Sequence, residues 1–142
     1  MKKAILFFTV IGLIAVTAIS KPFIANASVI KNSKYEVVNE KYKACIDACN
    51  ACVTSCKNCE SMCSKDKDAK IAHCIQLCKE CNTICTASSQ LMTLDSESAK
   101  EVCQSCAKIC DKCATECDKF TSEHCKECAT TCRKTAKLCK DM

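Results

Sequence analysis

The sequence predicts an all-α protein, an antiparallel up-down-up-down four-helix bundle with a cysteine-lined core. The chain has 142 residues but only one glycine, Gly12, and one proline, Pro22. The lack of both residue types after position 22 argues against β-sandwiches, β-barrels and glycine-rich phosphate-binding folds. Nineteen cysteines fall into four groups along the chain. Their spacing of three and four residues is the spacing of one helix face.

Residues 1–27 are predicted to be a signal peptide that is cleaved. A short basic start precedes an apolar stretch over residues 4–19, and a small-x-small site follows at residues 25–27. Because this stretch is short for crossing a bilayer, cleavage before Ser28 is favoured over an uncleaved anchor. We therefore expect an exported protein, periplasmic or extracellular, that is not held at the membrane after cleavage.

The segment after the predicted cleavage site contains no cysteine. Residues 28–38 show no clear periodicity, and we expect them to form a mobile leader. The folded domain is predicted to occupy residues 39–142. Loss of the signal peptide leaves 18 basic and 16 acidic residues, a net charge of +2. This charge is too small to indicate nucleic acid as a partner, and the few aromatic residues do not alternate with basic ones.

Each of the four cysteine groups predicts one helix, because its steps of three and four keep the thiols on one face. The helices are expected near residues 39–64, 68–93, 97–119 and 122–140. The step of seven at the end of the fourth group skips one position, which Thr135 occupies. The cysteines are Cys45, Cys49, Cys52, Cys56, Cys59, Cys63, Cys74, Cys78, Cys81, Cys85, Cys103, Cys106, Cys110, Cys113, Cys117, Cys125, Cys128, Cys132 and Cys139.

The connections between the predicted helices are short and polar, so consecutive helices should be antiparallel neighbours. The first connection can hold a turn with an aspartate cap. Before the third helix, Ser98 and Glu101 fit a capping box, with Asp95 or Ser96 as alternative caps. The segment 120–123 separates the third and fourth helices and offers Thr121 or Ser122 as a cap.

The interior positions of such a bundle are almost all cysteine. Free cysteine packs as a small hydrophobe, so the stripe could serve as an ordinary core. Nineteen thiols with hardly any Leu or Val on the same face favour a chemical role instead. Disulfides between helices are possible in an exported protein, but pairs within one helix are too far apart.

Soft thiolates bind Cu(I), zinc or iron–sulfur clusters, and a continuous row of thiolates on helices suits Cu(I) best. Each Cys-x3-Cys pair can hold one ion, and Cys103, Cys125 and Cys139 remain as ligands between helices. Because thiolates bridge ions, we expect about 10–20 Cu(I) per chain. The predicted pairs are 45/49, 52/56, 59/63, 74/78, 81/85, 106/110, 113/117 and 128/132.

The predicted function is storage and buffering of Cu(I) outside the cytoplasm, with no catalysis. Spacing locates no acid–base pair or Ser-His-Asp set, and the chain has only two histidines. Two alternatives stay open. One is metallothionein-like sequestration of zinc or cadmium, and the other is a thiol redox buffer.

Three weaker Cu(I) ligands, Met62, His73 and His124, are predicted at one end of the bundle, where copper would enter. Each of them directly precedes a cysteine at a helix end. At the opposite end we expect an apolar plug. Its residues are Val38, Tyr42, Leu91, Leu94, Val102 and Leu138.

Two features of the cysteine pattern are shared with a known family. Rows of Cys-x3-Cys-x2-Cys-x3-Cys lie on the predicted helices, and His124 precedes the segment Cys125-x2-Cys128-Ala129-x2-Cys132. Over about residues 40–140 the chain resembles the bacterial four-helix-bundle copper storage proteins. The resemblance implies a homo-oligomer, a tetramer, that stores many Cu(I) ions in the core of each bundle. Exported members often carry twin arginines in the leader, and this chain does not.

Overall fold

The computed structural model describes residues 33–66 and 68–142. The predicted signal peptide and residues 28–32 of the predicted leader lie outside the described residues. Four helices and no strand are present in the described part of the chain. They are α1 (Ser33–Cys63), α2 (Ile71–Thr93), α3 (Ala99–Cys117) and α4 (Glu123–Lys140). The predicted all-α class is confirmed, and no helix among these residues is long and apolar enough to cross a membrane.

The helices form a closed four-membered ring. Helix α1 packs against α2 and α4, and α3 packs against the same two helices. Thiol contacts give the direction of each pair. Cys45 of α1 lies next to Cys139 of α4, and Cys63 lies next to Cys125. Because the start of α1 meets the end of α4, the two helices are antiparallel, as an up-down-up-down bundle requires.

Helix α1 begins earlier than predicted. It starts at Ser33, six residues before the expected start near residue 39, so residues 33–38 of the predicted leader are helical. No glycine or proline lies between Pro22 and the end of α1. Nothing in the sequence therefore interrupts the helix on its N-terminal side, although the cysteine stripe itself begins only at Cys45.

The connection between α1 and α2 contains the predicted aspartate cap. The Asp68 carboxylate accepts a hydrogen bond from the Lys70 backbone N–H at 2.9 Å. The Asp66 carboxylate in turn accepts one from the Asp68 N–H at 3.0 Å. These bonds satisfy backbone donors that would otherwise lack a partner before the first helical turn.

Helix α2 ends in a Schellman motif. The backbone N–H of Ser96 donates to Leu91 O at 3.0 Å, and that of Asp95 donates to Met92 O at 3.2 Å. Asp95 has a φ of 50°, the left-handed conformation that glycine usually supplies at this position. An aspartate tolerates this conformation better than most residues do.

The predicted capping box before α3 is wrong. Ser98 has a helical backbone, with φ −81° and ψ −6°, and its side chain makes no capping bond. A capping box needs an extended backbone at the cap, and the turn after α2 leaves no room for one. The alternative, Ser96, supplies a hydroxyl that accepts a hydrogen bond from the Ser98 N–H at 3.2 Å.

The core consists of the cysteine stripes, and small residues close the seams beside them. All 19 cysteines are buried. Tyr42, Leu91 and Leu138 of the predicted plug pack against the core while partly buried. Leu94 does not belong to the plug, because it is 65% exposed in the turn after α2. Val102 is half-buried, and the side chain of Val38 lies outside the described residues.

Candidate metal centre

The thiols of the four helices form one continuous column along the bundle axis. All 19 cysteines are free, and no disulfide joins them. The shortest contacts cross between helices. The Sγ atoms of Cys45 and Cys139 lie 3.3 Å apart, and those of Cys81 and Cys110 lie 3.4 Å apart. These distances leave each sulfur unbonded to its neighbour, since a disulfide bond is about 2.05 Å long.

Half of the eight predicted Cys-x3-Cys pairs also form close contacts within their own helix. The four Sγ–Sγ distances are 3.8 to 3.9 Å. Two sulfurs bound to one metal ion lie at a comparable separation, because each metal–sulfur bond is about 2.3 Å. These pairs are 52/56, 59/63, 106/110 and 128/132.

The thiols also group into sets of four whose sulfurs all lie within 4.8 Å of one another. Five such sets share a common composition. Each contains one predicted Cys-x3-Cys pair and one cysteine from each of two other helices. The sets are Cys52-Cys81-Cys85-Cys110, Cys52-Cys56-Cys81-Cys132, Cys56-Cys113-Cys128-Cys132, Cys59-Cys63-Cys74-Cys125 and Cys59-Cys74-Cys78-Cys117.

These sets overlap, since Cys52, Cys56 and Cys59 each belong to two of them. A thiolate in two sets can bridge two ions, so neighbouring sets can share ligands along the column. Two of the cysteines predicted as ligands between helices contact a thiol of α1. Cys125 lies 3.7 Å from Cys59, and Cys139 lies 3.8 Å from Cys49.

Proton affinity is uneven among these thiols. A thiolate is stabilised when neighbouring thiols donate hydrogen bonds to it, and Cys110 and Cys132 lower the pKa of Cys52 in this way. The pKa of Cys78 is raised because its hydrogen bonds with Cys113 and Cys117 favour the protonated form. At the end of the column, burial and the hydrogen bond with Cys125 raise the pKa of Cys63 to about 12. Metal binding must therefore displace protons from thiols such as Cys63.

Two of the three predicted entrance residues lie together. Met62 and His124 line a cavity of about 170 Å³ that reaches Cys63. Met62 is 41% exposed, whereas Cys63 is only 1% exposed. The imidazole of His124 also forms a 3.2 Å hydrogen bond with the Ser122 hydroxyl. Met62, His124 and Cys63 therefore line one cavity at this end of the column.

His73 lies apart from this cavity. It borders a separate groove between α2 and α3, and its Nε2 is 3.8 Å from the Glu116 carboxylate. The side chain of Glu116 also accepts a 2.6 Å bond from Lys119. His73 thus lines a different cavity from Met62 and His124, and its predicted place at the entrance stays a prediction.

Sequence reasoning missed two buried residues that continue the stripe of α2, whereas Thr135 was placed in the stripe of α4. Ser88 and Met92 extend the three-and-four spacing of α2 beyond Cys85, and both are fully buried. The steps of three and four residues after Cys85 could have identified both positions. Thr135 is also fully buried, and its hydroxyl donates to Ala48 O of α1 at 3.0 Å. This bond joins α4 to α1 where the stripe lacks a thiol.

A sequence comparison agrees with this geometry. Residues 38–142 match the family described as "Csp: Copper storage protein". The chain belongs to the copper storage protein family. The match covers every cysteine of the column, and the family's role accords with the many buried thiol groups. A comparison with curated protein sequences returns no match.

Solved structures of this family have the same fold. Apo copper storage protein 3 from Bacillus subtilis is 38% identical, with a TM-score of 0.67 over 70% of this chain and 96% of its own. The Cu(I)-bound form, BsCsp3, is also 38% identical, with a TM-score of 0.69 over 71% and 96%. A cytosolic copper storage protein from Streptomyces lividans with five coppers is 28% identical, with a TM-score of 0.70 over 75% and 94%.

Family membership and the thiol column together confirm the predicted storage of Cu(I). The protein is a copper storage protein whose cargo is multiple Cu(I) ions, and the predicted four-helix bundle with its cysteine-lined core is the store. The known role of the family is storage, which is not a catalytic one.

Proposed function

We propose that this member stores Cu(I) outside the cytoplasm, without catalysis, on overlapping sets of thiolates. The observation that carries this proposal is the sharing of Cys52, Cys56 and Cys59 between neighbouring sets of four. Cu(I) accepts two or three thiolates and tolerates bridging sulfurs, so a column of shared ligands can be filled continuously. The 19 thiols and the two entrance ligands are the proposed site residues.

Zinc or cadmium sequestration is the second candidate, and the sets of four cysteines favour it to some extent. Zn(II) prefers four ligands of its own in a closed tetrahedron. Because the five sets share cysteines, they cannot all hold separate tetrahedral ions. Adding Cu(I) to the zinc-loaded protein should therefore displace the zinc and continue to bind afterwards. Zinc that persists against an excess of Cu(I) would favour the second candidate.

The redox-buffer alternative rests on the short contacts between helices, such as the 3.3 Å between Cys45 and Cys139. A store and a redox buffer differ in what happens after metal is removed. A store should return to free thiols that rebind the same number of Cu(I) ions in air-free buffer without a reductant. A redox buffer would instead recover its capacity only after disulfide reduction.

The entrance is proposed at the cavity formed by Met62 and His124. Weak ligands beside Cys63 can pass an ion inward without holding it. Replacing both residues with alanine should change the rate of Cu(I) transfer to and from a competing chelator and leave the capacity intact. His73→Ala is the matched control, because His73 lies in a separate groove. Equal rates in the double variant and the parent would refute this entrance.

The proposal also includes export of the protein and its assembly into a tetramer. The signal-like residues 1–27 support secretion, and family resemblance supports a tetramer. The relative from Streptomyces lividans is a cytosolic protein, so location differs within the family if export holds. Sequencing the N-terminus of the protein recovered from the producing cells tests export. A mature start at Ser28 in the exported fraction is expected, and a full-length cytosolic chain would contradict it.

A further inference from the structure

Among the residues that the structure describes, a surface cavity lies at the end of the bundle opposite Met62. It has a volume of about 310 Å³ and lies between the start of α1 and the end of α4. Tyr42, Cys45, Leu138 and Met142 are among the residues that line it.

Cys45 is the most exposed cysteine residue of the column. It is 5% exposed, whereas every other cysteine is at most 1% exposed. At the entrance proposed above, the cavity is smaller, about 170 Å³, and Cys63 is 1% exposed. The larger cavity and the more exposed cysteine residue therefore both lie at the Cys45 end.

A short series of sulfurs leads inward from Cys45. Its Sγ lies 3.3 Å from that of Cys139, which in turn lies 3.8 Å from that of Cys49. Met142 adds a thioether to the wall of the same cavity and packs against the core. The thiol of the most exposed cysteine residue, a second thiol in contact with it and a nearby thioether are a ligand set that Cu(I) accepts.

We propose that Cys45, Cys139 and Met142 form a second Cu(I) exchange site, a port at the end opposite Met62 and His124. Copper enters by ligand exchange from a soluble copper–thiolate complex. A bond forms between Cu(I) and the Cys45 sulfur, the bond to one donor thiolate breaks, and the Cys45 proton leaves with that donor. The oxidation state of copper and sulfur does not change. The ion then moves to Cys139 and Cys49, while the weaker thioether holds it only in passing.

This inference rests on the proposed storage function, and the test separates the two. Met142→Ala and Met62→Ala are matched variants, because each removes one thioether at one end of the bundle. Transfer from a Cu(I)–glutathione complex is followed under anaerobic conditions, together with the final number of ions per chain. The port predicts that Met142→Ala slows transfer severalfold and that the double variant is slower than either single one.

A second measurement reports on Cys45 directly. The reduced, metal-free protein is treated briefly with N-ethylmaleimide, and the modified cysteines are identified by mass spectrometry. The port predicts that Cys45 is modified before Cys63. Transfer in Met142→Ala that matches the parent, or modification of Cys63 before Cys45, would overturn the port. A parent protein that binds few Cu(I) ions would instead overturn the proposed storage function.

Discussion

The Sγ of Cys52 on α1 lies 3.5 Å from the Sγ of Cys132 on α4. The same atom is 3.6 Å from the Sγ of Cys81 on α2 and 3.9 Å from that of Cys56 one turn along α1. One sulfur thus contacts thiols from three helices, its own included. This convergence is why a Cu(I) store can be built from helices alone, without the loops that usually hold thiolate-bound metals.

Removal of the Cys52 thiol should cost more copper than removal of a thiol at the edge of the column. Cys52 belongs to two sets of four, so Cys52→Ser removes a bridging ligand from both. We expect a loss of more than one Cu(I) ion per chain, measured by anaerobic titration against a chelator. Cys103→Ser is the control, because Cys103 lies near the end of the stripe on α3. Equal losses in the two variants would argue against shared ligands.

Loss of the Thr135 hydroxyl should destabilise the bundle without affecting storage. The hydroxyl donates to Ala48 O across the contact between α4 and α1. Thr135→Val keeps the shape and removes this bond, so the free energy of unfolding should fall by about 1 kcal/mol. Urea unfolding of the reduced, metal-free protein measures the change. Thr135→Ser retains the hydroxyl and serves as the control. A valine variant as stable as the parent would show that this bond contributes nothing.

Glycine at position 95 should stabilise the protein. Asp95 has a left-handed backbone with φ 50°, which glycine adopts without a steric cost. We expect Asp95→Gly to raise the free energy of unfolding by about 1 kcal/mol. The control is Glu97→Gly in the same connection, where no positive φ is relieved and a small loss is expected. The stabilities of both variants are compared with that of the parent by their denaturant midpoints. A destabilised Asp95→Gly would contradict the proposed strain.

Alkaline pH should destabilise the metal-free protein. The pKa of Cys63 is raised from 9.0 to about 12, so the folded state keeps this proton while the unfolded state loses it. The unfolded state then binds fewer protons, and stability falls as pH rises from 9.0 towards about 12. Anaerobic urea unfolding at a series of pH values measures this slope. Cys63→Ser should flatten the slope, and an unchanged slope in that variant would contradict the assignment.

Much of the fold follows from the periodicity of the cysteines. Positions such as Cys45 and Cys139 are far apart in the chain, yet the alternating steps place each on the inner face of its helix. Short connections then require antiparallel neighbours. The binding of soft metal ions could also be predicted from the sequence, because a helix face made of thiols has few other uses.

Other features depend on the three-dimensional structure and could not be predicted. The cysteine spacing carries no signal for the start of α1 at Ser33, since the helix extends on the N-terminal side of Cys45, the first cysteine. Asp95 has the left-handed conformation that glycine usually adopts after a helix, and no glycine stands at the end of α2. The usual sequence signal for a helix end is therefore missing. His73 immediately precedes a buried cysteine, but a side chain next to an inward-facing position on a helix points to another face. The 3.8 Å contact of His73 with Glu116 depends on the packing of α2 against α3, which the spacing does not predict.

The central claim, a column of shared thiolates for Cu(I), is tested most directly by one anaerobic titration of the reduced protein. Cu(I) is added in the presence of a competing chelator, and the ions bound per chain are counted at saturation. The shared column predicts about 10–20 Cu(I) per chain, because bridging thiolates bind more ions than separate sites allow. Saturation at about four ions per chain would contradict it, since 19 thiols divided into separate four-cysteine sites hold no more than that.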